Sequence, residues 1–116
     1  MLPDAGNAGK SEHAALIITT FVHDHAGFQK DGSADNELGN GWGCYDLGLQ
    51  NENLILKATD LGLSTLIMGL READRLREIL NIPETETIVS VIAVGKAAEE
   101  PIRPHRKPIE EIAKFF

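Results

Sequence analysis

The chain is poor in cysteine, in positive charge and in long apolar runs, and each shortage excludes something. With a single cysteine, Cys44, no internal disulfide can form. Asp and Glu outnumber Lys and Arg by 18 to 11, a formal net charge of −7. Phosphate backbones are bound through concentrated Lys and Arg, so a general nucleic-acid surface is excluded, and an anionic membrane surface is disfavoured on the same ground. No apolar run reaches the roughly 18 residues that span a bilayer. The opening MLPDAGNAGKSEH lacks the apolar core of a signal peptide. Together these features point to the cytoplasm. Ready-made phosphate cradles are missing too. The glycines of residues 39–43 (GNGWG) follow no strand pattern and have neither the Lys-Ser/Thr of a P-loop nor dinucleotide spacing; Gly95-Lys96 lacks the same context.

What remains is an ordinary globular composition, 42% apolar and 25% charged, in 116 residues. That length makes one domain, 1–116, able to bury roughly 65% of its unfolded surface. Residues 1–13 read as a loose lead-in. Residues 14–22 (AALIITTFV) read as a strand buried on both faces. The Gly-, Asp- and Asn-rich stretch after it reads as a long loop, a feature that is functional or mobile in compact domains. Residues 45–61 predict a helix stopped by Gly62, with Leu47, Leu54, Ala58 and Leu61 on one stripe and Ile55 and Leu56 off it. Residues 73–80 predict a shorter helix, closed by Asn81 in a left-handed position and blocked by Pro83. Residues 87–94 (TIVSVIAV) give the second clear strand. Pro101, Pro104 and Pro108 punctuate an extended return to a last helix with Ile109, Ile112, Ala113 and Phe116 on one face.

This pattern leaves a shortage. Two strands alone do not make a stable sheet, and a helix apolar on several sides needs more cover than this chain offers. The missing cover points to a second copy of the chain, or to residues outside these 116.

Several residue sets carry candidate chemistry. Arg103, His105, Arg106 and Lys107 form a basic cluster in an acidic chain. An arginine fork suits phosphate oxygens, while a solvated approach to a helix is the plainer reading. Residues 62–70 (GLSTLIMGL) read as a helix stop followed by a short extended segment. Gly69 there permits close backbone approach, and plain packing between two helices is the alternative. His23-Asp24-His25 has strand-face spacing for two imidazoles but no third metal ligand. Cys44 has no identified base and reads as a buried or semi-buried structural thiol. Asp46, Gln50 and Asn51 place polar groups beside the long helix's apolar stripe; Glu110 and Glu111 suit a helix start.

The segment WGCYDLGLQNENLILKATDLGLSTLIMG resembles the central helix and flavin-facing turn of the nitroreductase family. READRLREILNIPETE resembles that family's second helix and its exit, and IVSVIAVGKAAEEPIRPHRKPIEEI its last strand, proline-rich return and terminal helix. The likeness runs from about residue 14 to residue 116. It implies an α+β fold, with a mixed, mainly antiparallel sheet flanked by helices around a long central helix. It also implies an obligate, interlocked homodimer with FMN at the subunit interface. NAD(P)H would be the electron donor and a nitroaromatic, quinone or similar small molecule the acceptor. By position, Met68, Gly69 and Leu70 would run beside the flavin ring, Arg106 would hold its phosphate and Lys107 would assist. No side chain is implied as catalytic and no metal is expected. Family members carry an N-terminal segment with an Arg-rich phosphate motif and a Pro-Ser-x-Asn motif. The expectation is that this chain begins after both. Its rival role is then that of a truncated, flavin-free module that only dimerises or binds a partner.

Overall fold

The computed structural model describes residues 5–116. The element order is α1 (Ala5–Lys10), β1 (Ala15–Val22), α2 (Gly41–Asp60), β2 (Ser64–Met68), α3 (Ala73–Leu80), β3 (Glu86–Gly95) and α4 (Ile109–Ile112). Three strands form one sheet in the order β1-β3-β2, antiparallel at both pairings. The architecture is α+β, with a long central helix as expected. The third strand, β2, is the extended segment after Gly62, too short and too exposed in pattern to declare itself in the sequence. It gives β3 a partner on its second side and makes β1 an edge. As an edge, β1 is not buried on both faces as its apolarity predicts: Leu16, Ile17 and Val22 are exposed.

β3 sits in the middle because it is the most evenly apolar stretch. Val91 and Ala93 pack with Met68, Leu76 and Ile88 beneath α3, with Ile18, Ala73 and Ile82 around them. Ile92 lies between them in sequence, so it points to the opposite face, and it is 0% exposed. On that face the Phe21 ring lies so close to Gly43 that an added Cβ would sit 2.2 Å from it. α2 therefore covers this face, and Gly43 is what lets it come down on β1. A register shift between Thr19 and Thr20 leaves Val89 without a partner, a β-bulge that keeps Ile88 on the same side as Val91. Next to it, Thr19 and Ser90 join buried hydroxyls at 2.8 Å across the strands.

The helix ends follow their sequence signals. Gly62, at φ +71°, closes α2 with Gly62 N–H to Thr59 O and Leu63 N–H to Ala58 O. Asn81, at φ +53°, closes α3 with Ile82 N–H to Arg77 O. α2 begins at Gly41, four residues before the apolar pattern. Its inner stripe is as expected at Leu47 and Ala58, which are buried, but Leu61 is exposed. Tyr45, Leu49 and Leu56 form a second stripe on the outer side and stay exposed.

Two terminal readings need correction. Within the lead-in, residues 5–10 form a short helix that packs Ser11 inward, its hydroxyl donating to Asn7 O at 2.7 Å; residues 1–4 lie outside the described ones. The last helix is one turn only. Ala113 leaves it in extended geometry, because none of the described residues covers its apolar side: Ile109, Ile112, Phe115 and Phe116 are all exposed. Among the described residues, no helix is long and apolar enough to cross a membrane.

Candidate functional site

β1 and β2 both run antiparallel to β3, so their carboxyl ends lie at one end of the sheet. That end gathers the β2–α3 turn and the long loop after β1.

Met68 closes β2 in register with Val91 and is 1% exposed, so its side chain anchors the strand end in the core. Gly69 and Leu70 follow in the open. A Cβ added at Gly69 would meet nothing within 4 Å. Among the described residues, neither the Gly69 nor the Leu70 N–H donates a hydrogen bond. Arg71 fixes this turn from behind. Its guanidinium donates to Gly69 O at 3.3 Å and to Ile88 O at 2.6 Å, while its buried Nε finds no partner among the described residues. The sequence reading overlooked Arg71; the only signal was a lone arginine where a strand gives way to a helix.

Arg106 and Lys107 lie on an exposed arm. Residues 96–112 are exposed throughout, and the Arg106 guanidinium makes one weak local bond, to Pro104 O at 3.4 Å. Among the described residues, no hydrogen bond or ion pair joins this pair to Met68, Gly69 or Leu70. The five expected cofactor residues thus form two groups, 68–70 and 106–107, with no bond between them among the described residues. Chemically, the first group offers backbone donors not engaged among the described residues, and the Arg106 guanidinium keeps donors that could take an anionic oxygen.

The loop of residues 23–40 is ordered by its own bonds. Its ends are clasped by two reciprocal contacts, Asp24 N–H to Asn40 Oδ1 at 2.7 Å and Asn40 Nδ2 to Asp24 Oδ1 at 2.9 Å. Trp42 packs against Gly27 and donates from its indole to Asn36 Oδ1 at 3.0 Å. At the tip, Asp31 accepts from the Ser33 hydroxyl and N–H, and these bonds hold its carboxyl below the usual carboxylate range. The loop walls a cleft of about 250 Å³ between β1 and α2, lined by Thr20, Phe21, His25, Gly43, Asp46 and Gln50 among others.

Two expectations from the sequence are corrected here. His23 and His25 do not share a strand face, because β1 ends at Val22 and Asp24 turns left-handed at φ +54°. Among the described residues, no His, Cys, Asp and Glu cluster could hold a metal. Cys44 is exposed, because α2 turns Gly43 and Leu47 inward and leaves the residue between them on a flank.

Similarity to known proteins bears on this geometry. A profile of the Nitroreductase family matches residues 4–96. Nitroreductase A from Vibrio parahaemolyticus is 27% identical, with a TM-score of 0.74 over 95% of this chain and 49% of that one. A nitroreductase family protein from Streptococcus pneumoniae is 26% identical, with a TM-score of 0.64 over 70% of this chain and 41% of that one. A structure from Exiguobacterium sibiricum in complex with FMN is 27% identical, with a TM-score of 0.63 over 66% of this chain and 37% of that one. The chain therefore spans between about a third and a half of the length of these structures. No curated protein matches it closely enough to count as a relative. The profile covers the sheet, α2, α3 and the open turn after β2, and on that match the chain belongs to the nitroreductase family.

Proposed function

We propose that this chain works as a homodimeric, FMN-dependent oxidoreductase of the cytoplasm, taking electrons from NAD(P)H and passing them to a nitroaromatic, quinone or similar acceptor. The observation that carries the reading is the open end of β2, where the Gly69 and Leu70 N–H groups are unengaged among the described residues and a Cβ added at Gly69 would meet nothing within 4 Å. The relative from Exiguobacterium sibiricum, solved with FMN, supports the choice of cofactor. Bound FMN would supply the redox chemistry.

The chain's own residues do the holding. Gly69 and Leu70 donate to the ring system, where backbone dipoles favour negative charge without reorganising. Met68, locked in the core, and Arg71, tied to Ile88 O, keep that turn from shifting. Arg106 and Lys107 take the phosphate. The arm is exposed along residues 96–112 and bonds to nothing in the turn, which leaves it free to serve the turn of a second protomer. The outer stripe of α2 and the apolar residues of the arm give that second copy a surface to cover.

FMN and riboflavin titrations of the native chain and of Arg106→Ala test this. The substitution should weaken FMN by about 1.5–3 kcal/mol, the loss of one charged partner, and leave riboflavin, which has no phosphate, nearly unchanged. Equal losses for both ligands would place the phosphate elsewhere. Sedimentation at micromolar concentration should return twice the 12.6 kDa chain mass. A dimer that binds neither ligand would instead establish the rival reading, a flavin-free dimerisation module.

A further inference from the structure

The clasp that closes the 23–40 loop contains a reactive sequence. Asn40 is followed by Gly41, and both lie at the exposed start of α2. An asparagine before glycine is the least hindered setting for attack by the next backbone nitrogen, since no Cβ crowds that nitrogen. We propose that Asn40 is a spontaneous deamidation site, held in check by its clasp with Asp24, and that its conversion to aspartate or isoaspartate unlatches the loop.

The chemistry balances with water alone. The Gly41 nitrogen attacks Asn40 Cγ and forms a C–N bond, and Nδ2 leaves as ammonia after proton transfer. Water then opens the five-membered imide at one carbonyl or the other, giving aspartate or isoaspartate. One water is consumed, one ammonia is released, and nothing is oxidised or reduced.

The folded geometry opposes each requirement. The Gly41 N–H is committed to Leu38 O at 2.7 Å. Both carboxamide atoms are committed to Asp24: Oδ1 accepts its N–H at 2.7 Å, and Nδ2 donates to its carboxylate at 2.9 Å. Ring closure must wait for these contacts to open together. Afterwards the contact reverses sign. The donating amide has become a carboxylate facing the Asp24 carboxylate, and an isoaspartate also adds a backbone methylene just ahead of α2. Two like charges at hydrogen-bond distance repel, so the loop that walls the cleft with His25 and Ala26 loses its latch.

The test incubates the protein in warm, mildly alkaline buffer and follows the mass gain of amide-to-acid exchange by peptide mapping. Asp24→Gly removes the carboxylate, and a glycine accepts the positive φ at that position. This variant should deamidate at Asn40 roughly three- to tenfold faster, the factor for one exposed hydrogen bond. Gly41→Ala should suppress the reaction in both backgrounds; its Cβ would meet Leu38 Cβ at 3.7 Å, an ordinary contact. The native chain unfolded in urea should also outpace the folded chain at Asn40, which keeps the test valid should Asp24→Gly fail to fold. In the Asn40→Asp chain, amide exchange should quicken at Asp24, Phe28 and Asp35. Equal rates in folded and unfolded chains, equal rates in folded native and folded Asp24→Gly chains, or a mass gain mapping to another asparagine would each overturn the proposal.

Discussion

Ile92 and Ile102 are ten residues apart and differ in almost everything that matters. Ile92 is 0% exposed, enclosed between the sheet and α2; Ile102 is 95% exposed, on an arm exposed along residues 96–112. Two arginines, Arg77 and Arg106, repeat the contrast. Arg77 on α3 donates to three backbone carbonyls, those of Ile82, Pro83 and Glu86, and so ties the end of α3 to the start of β3. Arg106 on the arm has one long bond to Pro104 O. Residue type therefore does not separate the two regions. The body commits Ile92 and Arg77 internally, while the arm leaves the same chemistry at Ile102 and Arg106 open to something outside the chain.

The contrast would break most visibly at Ile92. Ile92→Ala should destabilise the chain by about 2–5 kcal/mol, the range for emptying a fully buried branched site, and urea unfolding would show it as a lowered midpoint. Next in size is Arg77→Ala. It removes the bonds to three carbonyls, of which Pro83 O keeps the Glu86 N–H, for a loss of about 1.5–3 kcal/mol. Arg77→Lys should recover only part of that, since one ammonium cannot reproduce the planar fork. Stability of Arg106→Ala should be unchanged in the same denaturation, because its effect belongs to FMN. A matching loss at Arg106 would mean the arm is packed in the free chain and would erase the distinction.

The body was legible in the sequence and the arm was not, for one physical reason. Val91, Ile92 and Ala93 announce a buried strand because burial on both faces demands continuous apolarity. Gly62, Asn81 and Pro83 mark helix ends because backbone geometry demands them. β2 escaped notice as a strand because an edge strand of five residues needs little apolar periodicity. The arm shows a helical pattern at Ile109, Ile112, Ala113 and Phe116, yet only one turn forms. Periodicity describes a face, and a face becomes a helix of useful length only when something covers it. The candidate site suffers likewise. Arg106 and Gly69 can be singled out separately, but the sequence cannot show that no bond joins them among the described residues. Arg71 and the Asp24–Asn40 clasp depend on side-chain geometry that no spacing encodes.

A third change probes how tightly the body closes. Gly43 is the point where α2 meets β1, and a Cβ there would lie 2.2 Å from the Phe21 ring, with two more ring atoms within 3 Å. Gly43→Ala gains helix propensity of about 1 kcal/mol but overpacks the contact at a cost of about 1–3 kcal/mol. The net should be a modest destabilisation near 1 kcal/mol. A second substitution, Phe21→Leu, should reverse its sign by vacating the ring's space, leaving Gly43→Ala stabilising in that background. Additive effects would mean the helix and strand already shift apart with little resistance.

The smallest expected effect is also the one that decides what the arm is for. In a single chain Ile102→Ser removes an exposed side chain, and its unfolding free energy should stay within about 0.5 kcal/mol of the native value. If a second copy covers the arm, the same substitution acts only where dimers form. Native thermal stability should then rise with protein concentration, because association favours the folded partner, and the Ile102→Ser curve should rise less. At the lowest concentrations the two chains should melt together; at the highest they should separate. Curves that coincide at every concentration would show that Ile102 packs against no second copy, and the arm's exposed isoleucines and phenylalanines would then need a different partner. Curves that diverge with concentration would make Ile102 equivalent to Ile92 after all, buried in an assembly where the other is buried in a chain.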